Sequence, residues 1–580
     1  MLKSKSAKFG FVNLLLLMLI LMACGDSGPT QVLSLPTAAP TTQSANTVAS
    51  ATTQAAATTA AAQASTAVPT TEAAQTQATT APSTTVSATS APAATTGVAT
   101  TQSGTVPRFE DANPCPYTLP KGQTLNQTVR CGYIIVPELH SQPNNGKTIK
   151  LGVVIFKSTA SSPAPEPVIY LQGGPGGDIQ SILDLMTGDF YKAFTSRDDA
   201  IFFDQRGVGQ SQPALVCPEF EAQAIKDAPV ILSPQESEQH NIDAAVACHD
   251  RLVNEGINLN AYNSIENAGD VNDIRQALGY KQIDLYGGSY GTLLGQTVMR
   301  LYPQILRSVI LDSVVPPDVN LDIQSSASGT RSLNLIFQAC AADAKCNRSY
   351  PDLKNVFSKI FAQLNANPPT VKVTLTNNKT FNAKVDGVSF RQALYLLLYD
   401  KQAITLLPQI LYSINSGNQA ILGPLMSVPF ETYEGVALGM YYSVECSEEW
   451  PFSKLSDNQQ AIKNAWPEFA QDSDVEVQGS ITLCQKWNVQ KAPPAQISLI
   501  KSAIPTLVME GQIDPITPPE NGQRVAKGLS NSFYVEFPAS THVEVQPGNT
   551  CAINVMTAFL TNPKAKPDSS CTASLKLNFP

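Results

Sequence analysis

The stretch that most constrains the fold of this chain is QIDLYGGSYGTLLG, residues 282–295. An apolar run, 283–286, predicts a buried strand, and the helix-compatible segment 292–301 comes soon after it. Between them the pattern G-x-S-x-G centres on Ser289. A sharp turn from strand to helix exposes the serine Oγ, and glycines allow backbone to pass where a Cβ would not fit. The pattern alone is common in ordinary turns, but its place between strand and helix predicts that Ser289 is a nucleophile.

The base for Ser289 is predicted from the scarcity of histidine. A serine hydroxyl is a poor nucleophile unless a base removes its proton, and a carboxylate must orient that base. With this strand–turn–helix arrangement, the acid and then the histidine follow the serine in the chain. Of four histidines, only His542 follows Ser289, in the loop PASTHVE after a predicted strand. We therefore predict His542 as the base and interpret His140, His240 and His249 as surface or loop residues.

Two carboxylates compete for the role of the acid. Asp514 lies in TLVMEGQIDPITP, just after an apolar run, where Pro515 and Pro518 stiffen the loop. Asp312, in ILDSVVPP, also ends a predicted strand. We interpret Asp312 as a loop-capping carboxylate and predict that Asp514 orients His542.

A second glycine-rich segment predicts the backbone groups that stabilise a negatively charged oxygen of the substrate. Residues 167–177, PVIYLQGGPGG, are a strand that runs into a turn where backbone N–H groups are available. A phosphate loop is disfavoured, since no Lys-Ser/Thr follows and a proline interrupts the turn. One donor of such an oxyanion hole is the amide after the nucleophile, here that of Tyr290, and the other comes from the early loop.

Short apolar runs spaced along the chain predict the fold. Two of them form an antiparallel pair, and the other six suit buried, mostly parallel strands separated by helices. The interval 316–503 interrupts this alternation and is mainly helix-compatible. We predict an α/β-hydrolase fold with a mostly parallel central sheet and a largely helical cap inserted between the sixth and seventh strands. The core occupies 108–315 and 504–580, and the predicted strands are 132–137, 148–156, 167–171, 200–204, 282–286, 307–312, 505–510 and 533–537.

The amino-terminal region has a different composition. Residues 1–23 have a basic start and an apolar run too short to span a bilayer, which predicts a signal peptide. The ending LMAC resembles a bacterial lipobox, which implies cleavage before Cys24 and acylation of that residue; Met22 departs from the usual small residue. Residues 24–107 are rich in Thr, Ala, Ser and Gln and predict a disordered tether. The protein is thus expected at the bacterial cell surface, outside the cytoplasm and held to the membrane by lipid alone.

The charge and the cysteine content of the chain argue against two classes of function, nucleic-acid binding and metal binding. The formal charge of −9 over 580 residues disfavours nucleic-acid binding, which needs basic patches. Eleven cysteines less Cys24 leave ten, and an even set in an exported chain favours disulfides over a metal site. No metal or other cofactor is predicted. Sequence does not fix the connectivity, and the simplest hypothesis pairs neighbours: Cys115–Cys131, Cys217–Cys248, Cys340–Cys346, Cys446–Cys484 and Cys551–Cys571.

These motifs together resemble one family. QGGPGG at 172–177 is similar to the HGGPGG motif of prolyl iminopeptidases and secreted tripeptidyl aminopeptidases, and DQRGVGQS at 204–211 to their DQRGxGxS motif. The resemblance covers roughly residues 110–575. It implies that Gly174 supplies the second oxyanion amide and that Arg206 braces loops near the site. Gln172 stands where the family usually has His, and the loop of His542 lacks the usual glycines.

The same resemblance implies a substrate. YSVECSEEW at 442–450 is similar to a short Cys-x-acid segment that binds a free amino terminus in these aminopeptidases. It offers Glu445, Glu448 and Glu449, of which Glu448 matches best and Glu445 is the predicted second member. The alternative is a solvated acidic loop beside a disulfide. The expected partner is a peptide with a free amino terminus, and the oligomeric state is not predicted. A carboxylesterase that uses the same residues on small esters is the alternative function.

Overall fold

A mixed sheet lies at the centre of the computed structural model, which describes residues 105–580, the side chain at position 434 excepted. Within those residues the sheet has nine strands in the order β1-β2-β3-β5-β4-β6-β7-β10-β11. The predicted signal peptide, the acylation of Cys24 and nearly all of the tether lie outside the described residues. The strands are β1 Arg108–Asp111, β2 Val129–Pro137, β3 Thr148–Phe156, β4 Val168–Leu171, β5 Ala200–Phe203, β6 Ile283–Gly288, β7 Leu306–Asp312, β10 Thr506–Gly511 and β11 Ser532–Phe537.

The direction of the strands confirms the predicted fold class. Strands β4, β5, β6, β7, β10 and β11 pair in parallel, while β1, β2 and β3 form an antiparallel extension that joins β5. Sequence analysis missed β1, since its residues RFED are half-exposed and carry no apolar run. It also missed a hairpin between β7 and β10, formed by β8 Thr370–Thr374 and β9 Thr380–Lys384, whose residues are mostly exposed. The insertion therefore follows the seventh strand in the chain, not the sixth.

Helices cover both faces of the sheet. In β6 the side chains of Ile283 and Leu285 enter one apolar core, and that of Tyr286 enters the core on the other face. Both faces are buried, which explains the continuous apolar runs of the parallel strands. The core helices are α1 Gln180–Leu183, α2 Gly188–Thr195, α3 Pro218–Asp227, α4 Pro234–Asn254, α5 Ser264–Ala277, α6 Tyr290–Leu301, α17 Pro519–Ala526 and α18 Thr550–Thr561.

Residues 316–503, called the cap below, lie between β7 and β10 and are largely helical. Most of their buried side chains form a third apolar cluster, around residues such as Phe357, Phe390 and Leu411. None of the helices in residues 105–580 combines the length and the apolar character that crossing a membrane requires. The cap helices are α7 Leu321–Ala342, α8 Ala344–Ser349, α9 Leu353–Ala366, α10 Gly387–Leu397, α11 Lys401–Asn415, α12 Leu422–Gly435, α13 Leu438–Glu448, α14 Leu455–Ala461, α15 Pro467–Ala470 and α16 Ser473–Trp487.

Disulfides join elements that are close in the chain. The structure contains the five pairs that neighbour pairing predicts, with Cα–Cα distances between 4.9 and 5.8 Å, within the usual range for a disulfide. Cys446–Cys484 links α13 to α16 inside the cap, and Cys217–Cys248 links α3 to α4.

Arg206 is fully buried beneath the site and braces the surrounding loops. Its Nε and Nη2 donate to both carboxylate oxygens of Asp270 at 2.7 Å, and its Nη1 donates to the carbonyl oxygens of Glu138 and Ala261. This bidentate pair ties the DQRG segment to α5. The bracing role that the family resemblance implied for Arg206 matches these contacts.

Replacement of Arg206 by Met should destabilise the fold strongly, because Asp270 would keep a buried carboxylate without its partner. We expect a loss of about 3–5 kcal/mol in the free energy of unfolding, measured by urea denaturation. Arg524→Met is the matched control: Arg524 pairs with Asp318 on the surface, where such a pair contributes about 0–1 kcal/mol. Equal losses in the two variants would contradict the bracing role.

Candidate active site

Ser289 occupies the strained turn between β6 and α6. Its backbone has φ 56° and ψ −126°, a conformation that residues other than glycine rarely adopt. Its amide donates to the carbonyl oxygen of Asp312 at 3.0 Å. A Cβ on Gly291 would lie 2.0 Å from the carbonyl oxygen of Leu171 on the neighbouring strand. Glycine is therefore required at this end of the motif, and the turn leaves Ser289 partly exposed.

His542 and Asp514 are hydrogen-bonded to each other. The Nδ1 of His542 lies 2.8 Å from Oδ2 of Asp514. Asp514 is fully buried and also accepts hydrogen bonds from the amides of Ile516 and Thr517 and from the Thr517 hydroxyl. Burial raises the pKa of Asp514, but His542 and Thr517 outweigh it and hold the pKa below its usual value. An ionised Asp514 assigns the imidazole proton to Nδ1 and leaves Nε2 as an acceptor.

One cavity of about 1560 Å³ brings Ser289 and His542 together. Its walls come from residues 172–177, called the oxyanion loop below after their predicted role, from the loop of His542 and from the cap helices α10 to α13. Tyr399, from the cap, lines the same cavity and packs its ring edge-on against His542, with 5.0 Å between ring centroids. Sequence analysis missed Tyr399, since no local motif marks it.

Asp312, the alternative acid, has a different set of partners. Its carboxylate accepts hydrogen bonds from the Tyr286 hydroxyl at 2.6 Å and from the amides of Glu544 and Val545 at 2.8 and 2.9 Å. Burial raises the pKa of Asp312 to about 6. Its hydrogen bonds fix the loop that carries His542, in keeping with its interpretation as a loop-capping residue.

The loop of His542 makes its turn without glycine. Ala539 and Val543 both have positive φ, 54° and 62°, a conformation that glycine usually supplies and that strains a β-branched side chain. The Val543 amide donates to the Ser313 hydroxyl at 2.8 Å. Hydrogen bonds to the end of β7 therefore hold this turn, although the loop lacks the glycines that are usual in the family.

The oxyanion loop lies directly against Ser289. A Cβ on Gly173 would come within 3.0 Å of the Ser289 Cβ. The carbonyl oxygen of Gly173 accepts from the Gly177 amide, so the N–H of Gly174, on the opposite side of the same trans peptide, points out of this turn. Among the described residues, neither this amide nor that of Tyr290 donates to a protein acceptor.

The DQRG segment supports the oxyanion loop. Asp204 accepts from the Ile179 amide at 2.8 Å, and the side-chain amide of Gln205 donates to the Gln172 carbonyl oxygen at 2.8 Å. The side chain of Gln172, which replaces the family's usual His, bonds to the carbonyl oxygen of Asp178 within its own loop. The departure at Gln172 thus leaves the backbone donors of the loop in place.

The acidic segment forms part of helix α13, and its glutamates face different surroundings. Glu445 and Glu449 line the cavity that contains Ser289, whereas Glu448 does not. The carboxylate of Glu448 accepts from the amide of Ser264 at 2.7 Å, and the hydroxyl of Ser264 lies 2.8 Å from that of Tyr290. The Glu448 carboxylate thus connects α13 to the residue after Ser289, while Glu445 and Glu449 face the cavity.

Glu445 and Glu449 share an unusual environment. Burial, the neighbouring carboxylate and Asp322 raise the pKa of Glu445 well above its usual value, and burial and Asp322 raise that of Glu449 to about 8. Within residues 105–580 neither carboxylate forms an ion pair with a Lys, Arg or His side chain. Such a pair at a cavity wall is suited to a cation from outside the protein.

Comparison with known proteins gives one family match and three informative relatives. A family model described as alpha/beta hydrolase fold matches residues 166–544. The serine protease Hip1 of Mycobacterium tuberculosis is 24% identical over 456 residues, which cover 74% of this chain and 84% of that protein. Tripeptidyl aminopeptidase of Streptomyces coelicolor is 33% identical over 197 residues, 33% of this chain and 36% of that protein. Carboxylesterase B of M. tuberculosis is 26% identical over 455 residues, 73% of this chain and 82% of that protein.

Asn substitutions at Asp514 and Asp312 should separate the two carboxylates. Asp514→Asn should slow the covalent labelling of Ser289 by a fluorophosphonate by about 10⁴-fold, because the amide no longer supports the correct histidine tautomer. Asp312→Asn should mainly cost stability, about 1–3 kcal/mol in urea denaturation, since an amide cannot accept all three hydrogen bonds. Equally slow labelling in both variants would return Asp312 to consideration as the acid.

Proposed function

The chain belongs to the alpha/beta hydrolase family, and we propose that it is an exported serine aminopeptidase that releases short peptides or single residues from the amino terminus of its substrates. That it is a serine hydrolase agrees with its fold and its relatives. The observation that carries the finer proposal is the acidic pair Glu445 and Glu449, which faces the cavity of Ser289 and His542 without a cationic partner in the described residues.

The first half of the reaction forms an acyl-enzyme. The Oγ of Ser289 attacks the scissile carbonyl carbon while Nε2 of His542 takes the hydroxyl proton. The amides of Tyr290 and Gly174 donate to the oxyanion that develops, and the ionised Asp514 stabilises the imidazolium. The tetrahedral intermediate collapses as the C–N bond breaks, and His542 gives its proton to the departing amine. The remainder of the peptide leaves with a new amino terminus.

Water completes the second half. His542 removes a proton from a water molecule, whose oxygen attacks the ester carbonyl of the acyl-enzyme. The same two amides stabilise the second oxyanion, and the C–Oγ bond then breaks while the proton returns to Ser289. The products are a short amino-terminal peptide or residue with a free carboxylate and the regenerated enzyme.

Selection for a free amino terminus comes from the acidic pair. An ammonium group between Glu445 and Glu449 neutralises two carboxylates that otherwise repel each other in a partly buried site. An acetylated amino terminus has no charge to offer and would leave the pair unsatisfied. Substrates with a free amine are therefore preferred, and the pair replaces the predicted combination of Glu445 with Glu448.

The disulfides support the location part of the proposal. Five disulfides within residues 105–580 are typical of a protein that folds outside the reducing cytoplasm. We propose further that acylated Cys24 anchors the protein to the membrane and that residues 24–107 act as its tether.

A reporter screen tests the activity and separates it from the alternative carboxylesterase. Coumarin amides of one, two and three residues would be compared in free-amine and acetylated forms, beside p-nitrophenyl esters. We expect kcat/KM for the best free-amine peptide to exceed that of its acetylated form by about 10²-fold or more, since only the free amine can form an ion pair with Glu445 and Glu449. Ser289→Ala is the control for background hydrolysis. Cleavage of esters with both peptide forms untouched would establish the esterase instead.

The KM for a free-amine peptide should depend on pH through the acidic pair. Because the pKa of Glu449 is raised to about 8, the pair holds protons at about pH 6 and gains negative charge as the pH rises. KM should therefore fall between about pH 6 and 8, and rise above about pH 8 as the substrate amine, with a pKa of about 8, loses its charge. Glu449→Gln should raise KM and flatten the acidic limb, while KM for an ester should stay level. A pH-independent KM for the peptide would contradict this role.

A further inference from the structure

The loop that carries Asp514 is held by the cap through its carbonyl groups. Four successive residues of this loop each accept a hydrogen bond from a cap side chain, and two of the four bonds come from one arginine. The bonds run from Arg331 Nη1 to Gln512 O at 2.6 Å, from the Ser332 hydroxyl to Ile513 O at 2.6 Å, from Arg331 Nη2 to Asp514 O at 2.6 Å and from the Tyr395 hydroxyl to Pro515 O at 3.1 Å.

The core of the protein holds the other side of the same loop. The amides of Gln512 and Ile513 donate to the carbonyl oxygens of Phe537 and Ser540, at 3.1 and 2.8 Å. The core therefore fixes N–H groups of the loop, and the cap fixes its C=O groups. Peptide planes with both polar sides bonded cannot turn without breaking one set of hydrogen bonds. The direction of the Asp514 side chain thus depends on both halves of the molecule.

The cap also contacts the loop of the histidine. The Thr541 hydroxyl donates to the carbonyl oxygen of Leu398, and the next cap residue, Tyr399, packs on the ring of His542. Two residues of the proposed triad of Ser289, His542 and Asp514 are consequently held against residues of the cap.

Arg331 is well suited to this task. Its planar guanidinium presents two N–H groups in a fixed fork, which matches two carbonyl oxygens two residues apart. The side chain extends from α7, and its neighbour Ser332 is fully buried in the same contact. Burial lowers the pKa of Arg331, while the carboxylates of Glu520, Asp514 and Glu536 act in the opposite direction. Lys has neither the fork nor the reach to replace both bonds.

We infer that Arg331 is a positioning residue and that the cap completes the triad as well as the substrate pocket. This inference rests on the proposed roles of Asp514 and His542. Seating of the cap sets the orientation of the Asp514 loop, and through it the imidazole that activates Ser289. The chemical step then depends on the cap even for a substrate too small to reach the acidic pair.

Arg331→Met tests the inference with two substrates, a free-amine peptide coumarin and p-nitrophenyl acetate. We expect kcat to fall by about 10²-fold for both, with KM changed less than about threefold, since small misplacements of catalytic groups affect the chemical step. Arg331→Lys should recover only part of this loss. The matched control is Arg391→Met: Arg391 is a buried cap arginine that bonds to Glu476 and Phe469, and neither triad loop is among its partners. Its kcat should stay within about twofold of wild type.

Serine variants keep the test decisive if Arg331→Met does not fold. Ser332 and Ser326 are buried on the same helix, and each donates to a backbone carbonyl, that of Ile513 in the triad loop or that of Phe469 in the cap. Ser332→Ala should lower kcat about fivefold on both substrates and Ser326→Ala should not. Wild-type kcat in Arg331→Met or in Ser332→Ala, full recovery by Arg331→Lys, or a loss confined to the peptide would overturn the inference. Wild-type protein that cleaves neither reporter would contradict the proposed function instead.

Discussion

The arrangement of the site depends on the carboxyl end of β7, where two residues hold both the turn of Ser289 and the loop of His542. The carbonyl oxygen of Asp312 accepts from the amide of Ser289, and its carboxylate accepts from the amides of Glu544 and Val545. The hydroxyl of Ser313 accepts from the amide of Val543. These hydrogen bonds hold the nucleophile turn and the histidine loop against one strand end, with strained backbone on both sides. Packing of a parallel sheet around β7 makes this end rigid, and the strain of the turns is balanced by the bonds that converge there.

Burial acts differently on the carboxylates that surround His542. Asp514 accepts three hydrogen bonds in addition to its contact with the imidazole, so its pKa lies below the usual value. Glu510 and Glu544 lie close by, but burial and neighbouring acids raise the pKa of each well above its usual value. Burial and neighbouring acids thus raise the pKa values of these two glutamates, while hydrogen bonds hold that of Asp514 down. Environments that separate the pKa values of neighbouring carboxyls are typical of hydrolase sites.

Sequence predicted the parts of this site that local patterns determine. Ser289 follows from a five-residue motif in its strand-to-helix context, and His542 from being the sole histidine after it. The two extra strand pairings were missed because β1 and the β8–β9 hairpin bury too few side chains to produce an apolar pattern. The prediction of Glu448 rather than Glu449 also neglects the geometry of a helix. On a helix, residues four apart share a face, so Glu445 and Glu449 point into one cavity while Glu448 turns toward Ser264. Treating 442–450 as a helix would have placed Glu445 and Glu449 together on the side of the cavity.

The remaining features of the site depend on contacts between segments that are distant in the chain. These contacts limit which residues of the cap can change. Helices α7 and α10 touch the Asp514 loop through Arg331, Ser332 and Tyr395, whereas α13 reaches the cavity with its acidic face. Under the proposed function, a change at Glu445 or Glu449 alters which amino terminus fits, and the Asp514 loop keeps its hydrogen bonds. If the positioning role inferred for Arg331 holds, substitution of Arg331, Ser332 or Tyr395 shifts the Asp514 loop and affects every substrate alike. Together the two proposals divide the insertion into one part that sets specificity and another that positions catalytic groups, although both lie outside the hydrolase core in the chain.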